Sequence, residues 1–218
     1  MVGMKTIYYL KFIVLFLIIS SSCSSTTDKI TIIWADLSEQ DFSFSNQWSY
    51  AEYIIINQYN QPIQDGITYP EIERMMDENG EIKNEYLSEY YQLVDTTHQY
   101  HTIECTSNAL QFYETNFIEV RQIATNEYEA TTLMNVSSHA SLHISIIDNK
   151  CHPSINLTSI NPEIDFKVTL DKNNSIIIDK RLLEKDTLKA VFEFNFKDNT
   201  NNTIWWKGKI LAPISKAF

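Results

Sequence analysis

Glycine is scarce in this 218-residue chain, with four residues in all. A loop that cradles phosphate needs glycines close together, so nucleotide sites of that kind are excluded. Proline is almost as sparse, with five residues, and neither a low-complexity tract nor a long linker is present. Basic side chains are outnumbered: 17 Lys and Arg stand against 28 Asp and Glu, a net charge of −11. Nucleic-acid binding draws on basic side chains that displace counterions from phosphates, and this balance excludes it. Catalytic signatures are missing too. There is no G-x-S-x-G elbow, no H-E-x-x-H, and no pair of carboxylates that its spacing sets apart. The notable apolar run, Phe12 to Ile19, is too short for a hydrocarbon core of about 30 Å, which takes about 20 helical residues, and extending it backwards meets Lys11.

That run has telling neighbours. Lys5 and Lys11 precede it, and Ser20, Ser21, Ser22 and Cys23 follow. A charged n-region, a short apolar h-region and a small-residue cleavage site make up an export signal. The small residues ending in cysteine resemble the lipobox of bacterial lipoproteins, with Ser20 where that family usually carries leucine and Ile19 one step further back. The resemblance implies cleavage after residue 22, a diacylglycerol thioether on Cys23 and an acylated new amino terminus. Two or more acyl chains anchor a protein stably where one is marginal. Ser24 to Asp28 then form a polar tether of at most ~18 Å at about 3.6 Å per residue, so the folded domain is expected close to the bilayer. Aspartate after the lipidated cysteine is the Gram-negative family's inner-membrane retention signal; Ser24 in its place points to the outer membrane, on either face.

Cleavage removes Lys5 and Lys11 and no acid, which leaves 15 basic and 28 acidic side chains, net −13. Cys105 and Cys151 remain, in a compartment where disulfides persist. They are a candidate disulfide; the alternative is two small buried thiols. No motif implies a cofactor.

From Lys29 onwards the dominant period is two, the signature of strands with one buried face. Ala140, Leu142, Ile144 and Ile146 alternate with polar residues, Asp148 to Lys150 turn the chain, and Pro153, Ile155 and Leu157 return as a hairpin. A second hairpin is expected from Ile164, Phe166, Val168 and Leu170, with a turn over Asp171 to Asn174 and a return through Ile176 and Ile178. A short helical turn is expected over Asp179 to Lys185. The strongest pair follows, Leu188 to Phe196 against Ile204 to Ile210. Placing Phe196 opposite Ile204 sets Phe194 against Trp206 inside and Glu193 against Lys207 outside, so one register satisfies both faces. Lys29 to Leu37, Asp41 to Ser45, Tyr50 to Asn57, His101 to Ser107 and Phe117 to Ala124 also read as strands. Tyr86, Leu87, Tyr90, Tyr91 and Val94 recur at helical spacing and predict one amphipathic helix over 84–94. The expected fold is mainly β: residues 29–218 as a single antiparallel β-sandwich or partly open barrel with one amphipathic helix inserted.

Candidate sites are few. His139 and His143 fall on the polar face of a strand, with backbones roughly 13 Å apart at about 3.3 Å per residue, too far to share an ion. His98, His101 and His152 could meet only through tertiary contact, and no metal is assigned. Asp77 to Ile82 has the middle of a calcium loop, but Met75 and Tyr86 occupy the first and twelfth ligand positions, so a tight turn explains the same letters. Trp205 points outward beside Lys207, where a ring can stack on a sugar or anchor a protein partner; packing under another element is the plainer reading. Tyr50, Tyr53, Tyr90, Tyr91 and Tyr100 line a groove or rim a core. Candidate binding residues are therefore Trp205, Lys207, Tyr90 and Tyr91.

The signal, a β-rich body of this size and the ending T-L-K-A-V-F-E-F-N-F followed by W-W-K-G-K-I together resemble small lipoproteins of gut Bacteroides-type bacteria. That family implies no known activity. The expected role is a lipid-anchored envelope module that binds or assembles without catalysis, its partner an envelope protein. The rival is a glycan-binding or glycan-processing lipoprotein.

Overall fold

The alternation read in the sequence becomes a strand ladder whose apolar faces converge on one interior. The computed structural model describes residues 29–51, 54–64, 70–94, 96–109, 112–133, 139–157 and 167–217; the signal, Cys23 and the tether lie outside them. The N-terminal strands are β1 (Ile30–Thr31), β2 (Ile33–Trp34), β3 (Trp48–Ser49), β4 (Ile54–Ile56), β5 (Pro62–Gln64), β6 (Gln99–Tyr100) and β7 (Ile103–Ser107). Then come β8 (Ile118–Ala124), β9 (Glu127–Thr132), β10 (Ala140–Ile147), β11 (Lys150–Leu157), β12 (Thr169–Leu170), β13 (Ser175–Ile178), β14 (Thr187–Lys197) and β15 (Thr203–Lys216). The α-helical turns are α1 (Pro70–Met75), α2 (Leu87–Leu93) and α3 (Lys180–Leu183), beside 3-10 turns at Ser43–Asn46 and Asn84–Tyr86.

The main sheet runs β1-β11-β10-β9-β8-β15-β14-β13-β2, and its two ends are consecutive pieces of one extended segment. Ile30 and Thr31 pair antiparallel with Cys151 and Lys150, while Ile33 and Trp34 pair parallel with Ile177 and Ile178. The segment joins both edges, so the sheet nearly closes into a barrel and leaves little edge for a stray strand to add to. Buried Asp179 fastens the seam. Its carboxylate accepts from the Leu37 N–H at 3.3 Å and the Arg181 N–H at 3.1 Å, capping α3, while Arg181 also pairs with Asp36 at 2.6 Å. Burial pulls that carboxyl upward, but the bonds from Arg181 and Leu37 outweigh it and hold it below the usual carboxylate range.

The interior is filled. Phe192, Phe194 and Phe196 of β14 and Trp206 and Ile210 of β15 share one core with Leu142, Ile144 and Ile146 of β10. Fully burying each such side chain is worth roughly 1.5–3 kcal/mol. The β14–β15 register sets Phe196 opposite Ile204, Phe194 opposite Trp206 and Glu193 opposite Lys207, as the two-face argument requires. Trp206 meets Phe112 edge-on at 4.7 Å, and among the described residues its indole N–H has no hydrogen-bond partner. Gly208 sits opposite Cys105 where β7 crowds β15; a Cβ there would lie 2.2 Å from the Glu104 carbonyl oxygen.

A chain short of glycine must make its left-handed turns otherwise. Among the described residues, every non-glycine with positive φ is Asn or Asp: Asn60, Asn126, Asp148, Asn149, Asn173, Asp186 and Asn201. Short polar side chains tolerate that region best after glycine. Three loops repeat one design, in which an Asx side chain accepts from the N–H groups two and four residues on. They start at Asn57, Asp77 and Asp198, with bonds of 2.8–3.0 Å. The Asp77 loop, with Gly80 at φ 82°, is thus a tight turn.

Several expectations are corrected. Asp41 to Ser45 is not a strand: the Asp41 carboxylate accepts from the Ser43 N–H at 2.8 Å, and the resulting 3-10 turn packs Phe42 and Phe44 with Leu37 over Ile177, Val191 and Leu211 on the outside of the sheet. Both phenylalanines bury, which mimics strand alternation. Asp171 to Asn174 does not turn a hairpin, because β12 and β13 both pair with β14. The Asp171 N–H and the Asn174 side-chain oxygen both return to the Asn195 backbone, at 2.7 and 2.6 Å, so the four residues bulge from one interrupted strand along β14. Ile164 and Phe166 lie outside the described residues. Strand β9 and helix α1 were not expected, and β2–β13 and β8–β15 are parallel in an otherwise antiparallel sheet.

The excursion between β3 and β6 carries the inserted helix. The 3-10 turn at Asn84–Tyr86 leads into α2, and Tyr90 and Val94 bury with Ala51, Ile54, Ile72, Met75 and Ile82 in a core of their own. The chain enters and leaves this insertion through a neck in which Trp48 pairs with Tyr100 and Ser49 with Gln99. The His101 N–H donates to the Gln47 carbonyl at 3.0 Å just outside it.

Candidate functional site

The neck concentrates exposed aromatic surface. Residues directly opposite in an antiparallel pair share a face, with Cβ atoms about 5 Å apart, so Trp48 and Tyr100 stand side by side. Trp48 is 48% exposed and Tyr100 66%. The His98 ring lies flat on Trp48 at 3.7 Å and 15°, and Tyr50 meets it edge-on at 5.9 Å and 74°. These contacts fix the indole without covering it. On the other side of the ribbon, the His101 Nε2 lies 3.2 Å from the Ser49 hydroxyl.

Grooves flank the ribbon. One of about 400 Å³ runs from Gln99 and Tyr100 past Phe117 and Leu133 to Pro213 and Ser215, with Glu119 in its lining. Arg121 holds Glu119 through bonds of 2.9 and 2.7 Å and keeps its carboxyl below the usual range. A larger groove of about 640 Å³ begins at Gln47 and His101 and crosses the outer face of β7, β15 and β14. Four of its charges face one another across strands, Lys207 opposite Glu193 and Lys209 opposite Glu104, and Glu114 adds a third carboxylate. Both volumes fall in the ~300–1,000 Å³ range of small-molecule sites, which favour junctions between substructures.

No protein-family model, curated protein or solved structure matches the chain. The site is read from its own geometry. Trp205 does point outward, half-buried, with the Lys207 ammonium 5.1 Å from its ring centre; Lys207 also lines the larger groove. Tyr90 is corrected from a candidate binding residue to a core residue: it is fully buried, and its hydroxyl donates to the Pro62 carbonyl at 2.7 Å. Tyr91, one position on, is 43% exposed on α2 and is not joined to Trp205, which belongs to the large sheet. The candidate Cys105–Cys151 disulfide is not formed, and the alternative of two buried thiols is what the structure has. Both are buried thiols in the barrel interior, on β7 and β11, strands that do not pair, and burial pushes the Cys151 thiol up to about 12, far from nucleophilic use. Cys23 and Tyr53 lie outside the described residues. His143 bonds Thr131 at 2.9 Å on the outer face of β10. Among the described residues no three His, Cys, Asp or Glu side chains converge to hold a metal ion, and no helix is long and apolar enough to cross a membrane.

Trp48 is the residue the sequence reading missed. Its available signal was a lone tryptophan among Asn46, Gln47 and Ser49, a polar setting that gives an indole little to pack against. Its partner Tyr100 is too distant in sequence for local spacing to join them.

Proposed function

We propose that this protein is a lipid-anchored envelope lipoprotein of the outer membrane that binds a partner without catalysing a reaction, and that the neck ribbon is its contact surface. The export signal ending at Cys23 supports the anchor. The single observation that carries the binding role is the pair of exposed rings beside two grooves, Trp48, which His98 and Tyr50 hold in place, and Tyr100, its cross-strand neighbour. Large side chains already fixed in place lose little freedom on association, which is why tryptophan and tyrosine dominate binding hot spots. Of the carboxylates at the grooves, Glu119 is paired with Arg121, and Glu104 and Glu193 stand opposite Lys209 and Lys207 in register, an arrangement suited to a solvated surface.

The test has two arms. Intact mass of the tagged protein from a Gram-negative host that processes lipoproteins should show loss of residues 1–22 and added acyl chains on Cys23; an intact leader or an unmodified thiol removes the anchor. Capture from envelope extract should fall at least tenfold with Trp48→Ala and Tyr100→Ala. Equal capture by wild type and both variants removes the ribbon as the contact.

A further inference from the structure

We infer that the ribbon's ligand is an uncharged saccharide chain, with a pyranose ring against Trp48 and Tyr100 and neighbouring hydroxyls in the groove beside Tyr100; this rests on the binding role proposed above. A pyranose has a flat C–H face and a rim of hydroxyls. It needs an exposed aromatic plane next to uncharged donors and acceptors. The ribbon supplies both, since Trp48 and Tyr100 are open to solvent while Gln99, Thr102 and Ser215 line the adjoining groove. The Thr102 hydroxyl is spent on the Ile118 backbone and that of Ser215 on the Val120 carbonyl. Hydroxyl recognition therefore falls to the Gln99 amide, the Tyr100 phenol and the Glu119 carboxylate that Arg121 orients.

Charge selects among saccharides. Among the described residues no Lys or Arg lines the groove beside Tyr100, and the Arg121 beside it is already paired with Glu119 at 2.7 Å. After removal of the signal the protein carries a large negative excess, so uronates, sulfated sugars and phosphate-bearing headgroups are repelled. Size argues against a folded protein partner. Such an interface covers about 800 Å² per side around an apolar centre, whereas here a ribbon two residues long is bordered by Gln47, Ser49 and Gln99. A groove of about 400 Å³ suits one or two sugar units.

The experiment is electrophoresis of the full processed protein, in detergent, through gels containing a neutral α-glucan, a neutral β-glucan, a mannan or a xylan, with an anionic polyuronate as control. At least one neutral polymer should retard the protein and shift its tryptophan emission. Trp48→Ala and Tyr100→Ala should weaken that retardation tenfold or more, Trp48→Phe should keep most of it, and Trp205→Ala should leave it unchanged. Near-ultraviolet circular dichroism verifies that each variant is folded. Retardation by none of the four, by the polyuronate alone, or equally by wild type and Trp48→Ala overturns the inference. Loss of a protein partner from envelope extract in the ribbon variants, with no polymer bound, defeats the saccharide but leaves the binding role standing. No capture of either kind defeats both.

Discussion

In the barrel, long paired strands bury whole rows of apolar side chains; in the insertion between Ser49 and Gln99, short pieces rely far more on side chains that bond backbone. The insertion core has Met75, Ile82 and Tyr90 at its centre. Around them Asn57 closes one loop, Asp77 another, and the Gln61 side chain bridges Ile82 from both its ends, at 2.9 and 3.1 Å. The difference teaches where specificity resides. A barrel strand is specified redundantly by many positions, whereas each insertion loop hangs on one polar residue whose loss takes the acceptor from two backbone N–H groups at once.

The sharpest way to break this comparison is at Trp206. Trp206→Ala removes the largest buried side chain and should cost about 3–5 kcal/mol in urea denaturation, unfolding the molecule as a whole. A loss under about 1 kcal/mol would mean that the barrel interior is not what holds the protein together. Next in size, Gly208→Ala must push β7 from β15 against backbone and should cost about 1–3 kcal/mol; a neutral result in the same denaturation would show that the two strands part easily. Tyr90→Phe leaves the Pro62 carbonyl without its donor and should cost about 1–2 kcal/mol. Here amide exchange should quicken over 54–94 while β10, β14 and β15 stay protected, and uniform quickening would deny the insertion any separate cooperativity. The smallest effect concerns pH. The folded-state carboxyl of Asp179 is held below its ordinary value, so its contribution to stability is present above about pH 4 and fades as pH falls through the lower folded value. Asp179→Asn should flatten that acid limb, and an unchanged pH profile would show that the seam does not depend on the charge.

The barrel's C-terminal strands were legible because period two states both the element and its inward face, and because Glu193 and Lys207 agree with Phe194 and Trp206 on a single register. Phe42 and Phe44 misled because a 3-10 turn can bury both rings against the outside of a sheet. The Asp171–Asn174 bulge was read as a reversal because turn residues are the same whether the chain turns back or rejoins its partner. Strand β9 escaped notice because Glu127 and Thr132 dilute its apolar content, its buried positions being Ala130 and Thr132. The site was least legible. Tyr100 stood in the set of tyrosines, but its pairing with Trp48 spans an entire insertion, and no local period encodes a contact of that kind.

The seam strand has one more consequence, for the order in which the molecule can be completed. Ile30 to Trp34 emerge early from the ribosome, yet both strands they lie between are made more than a hundred positions later. Folding dominated by such distant pairings is slow, because the closure entropy is spent before the contacts repay it. A chain interrupted before Ile178 would lack one neighbour of the seam and present open strand edges to other copies.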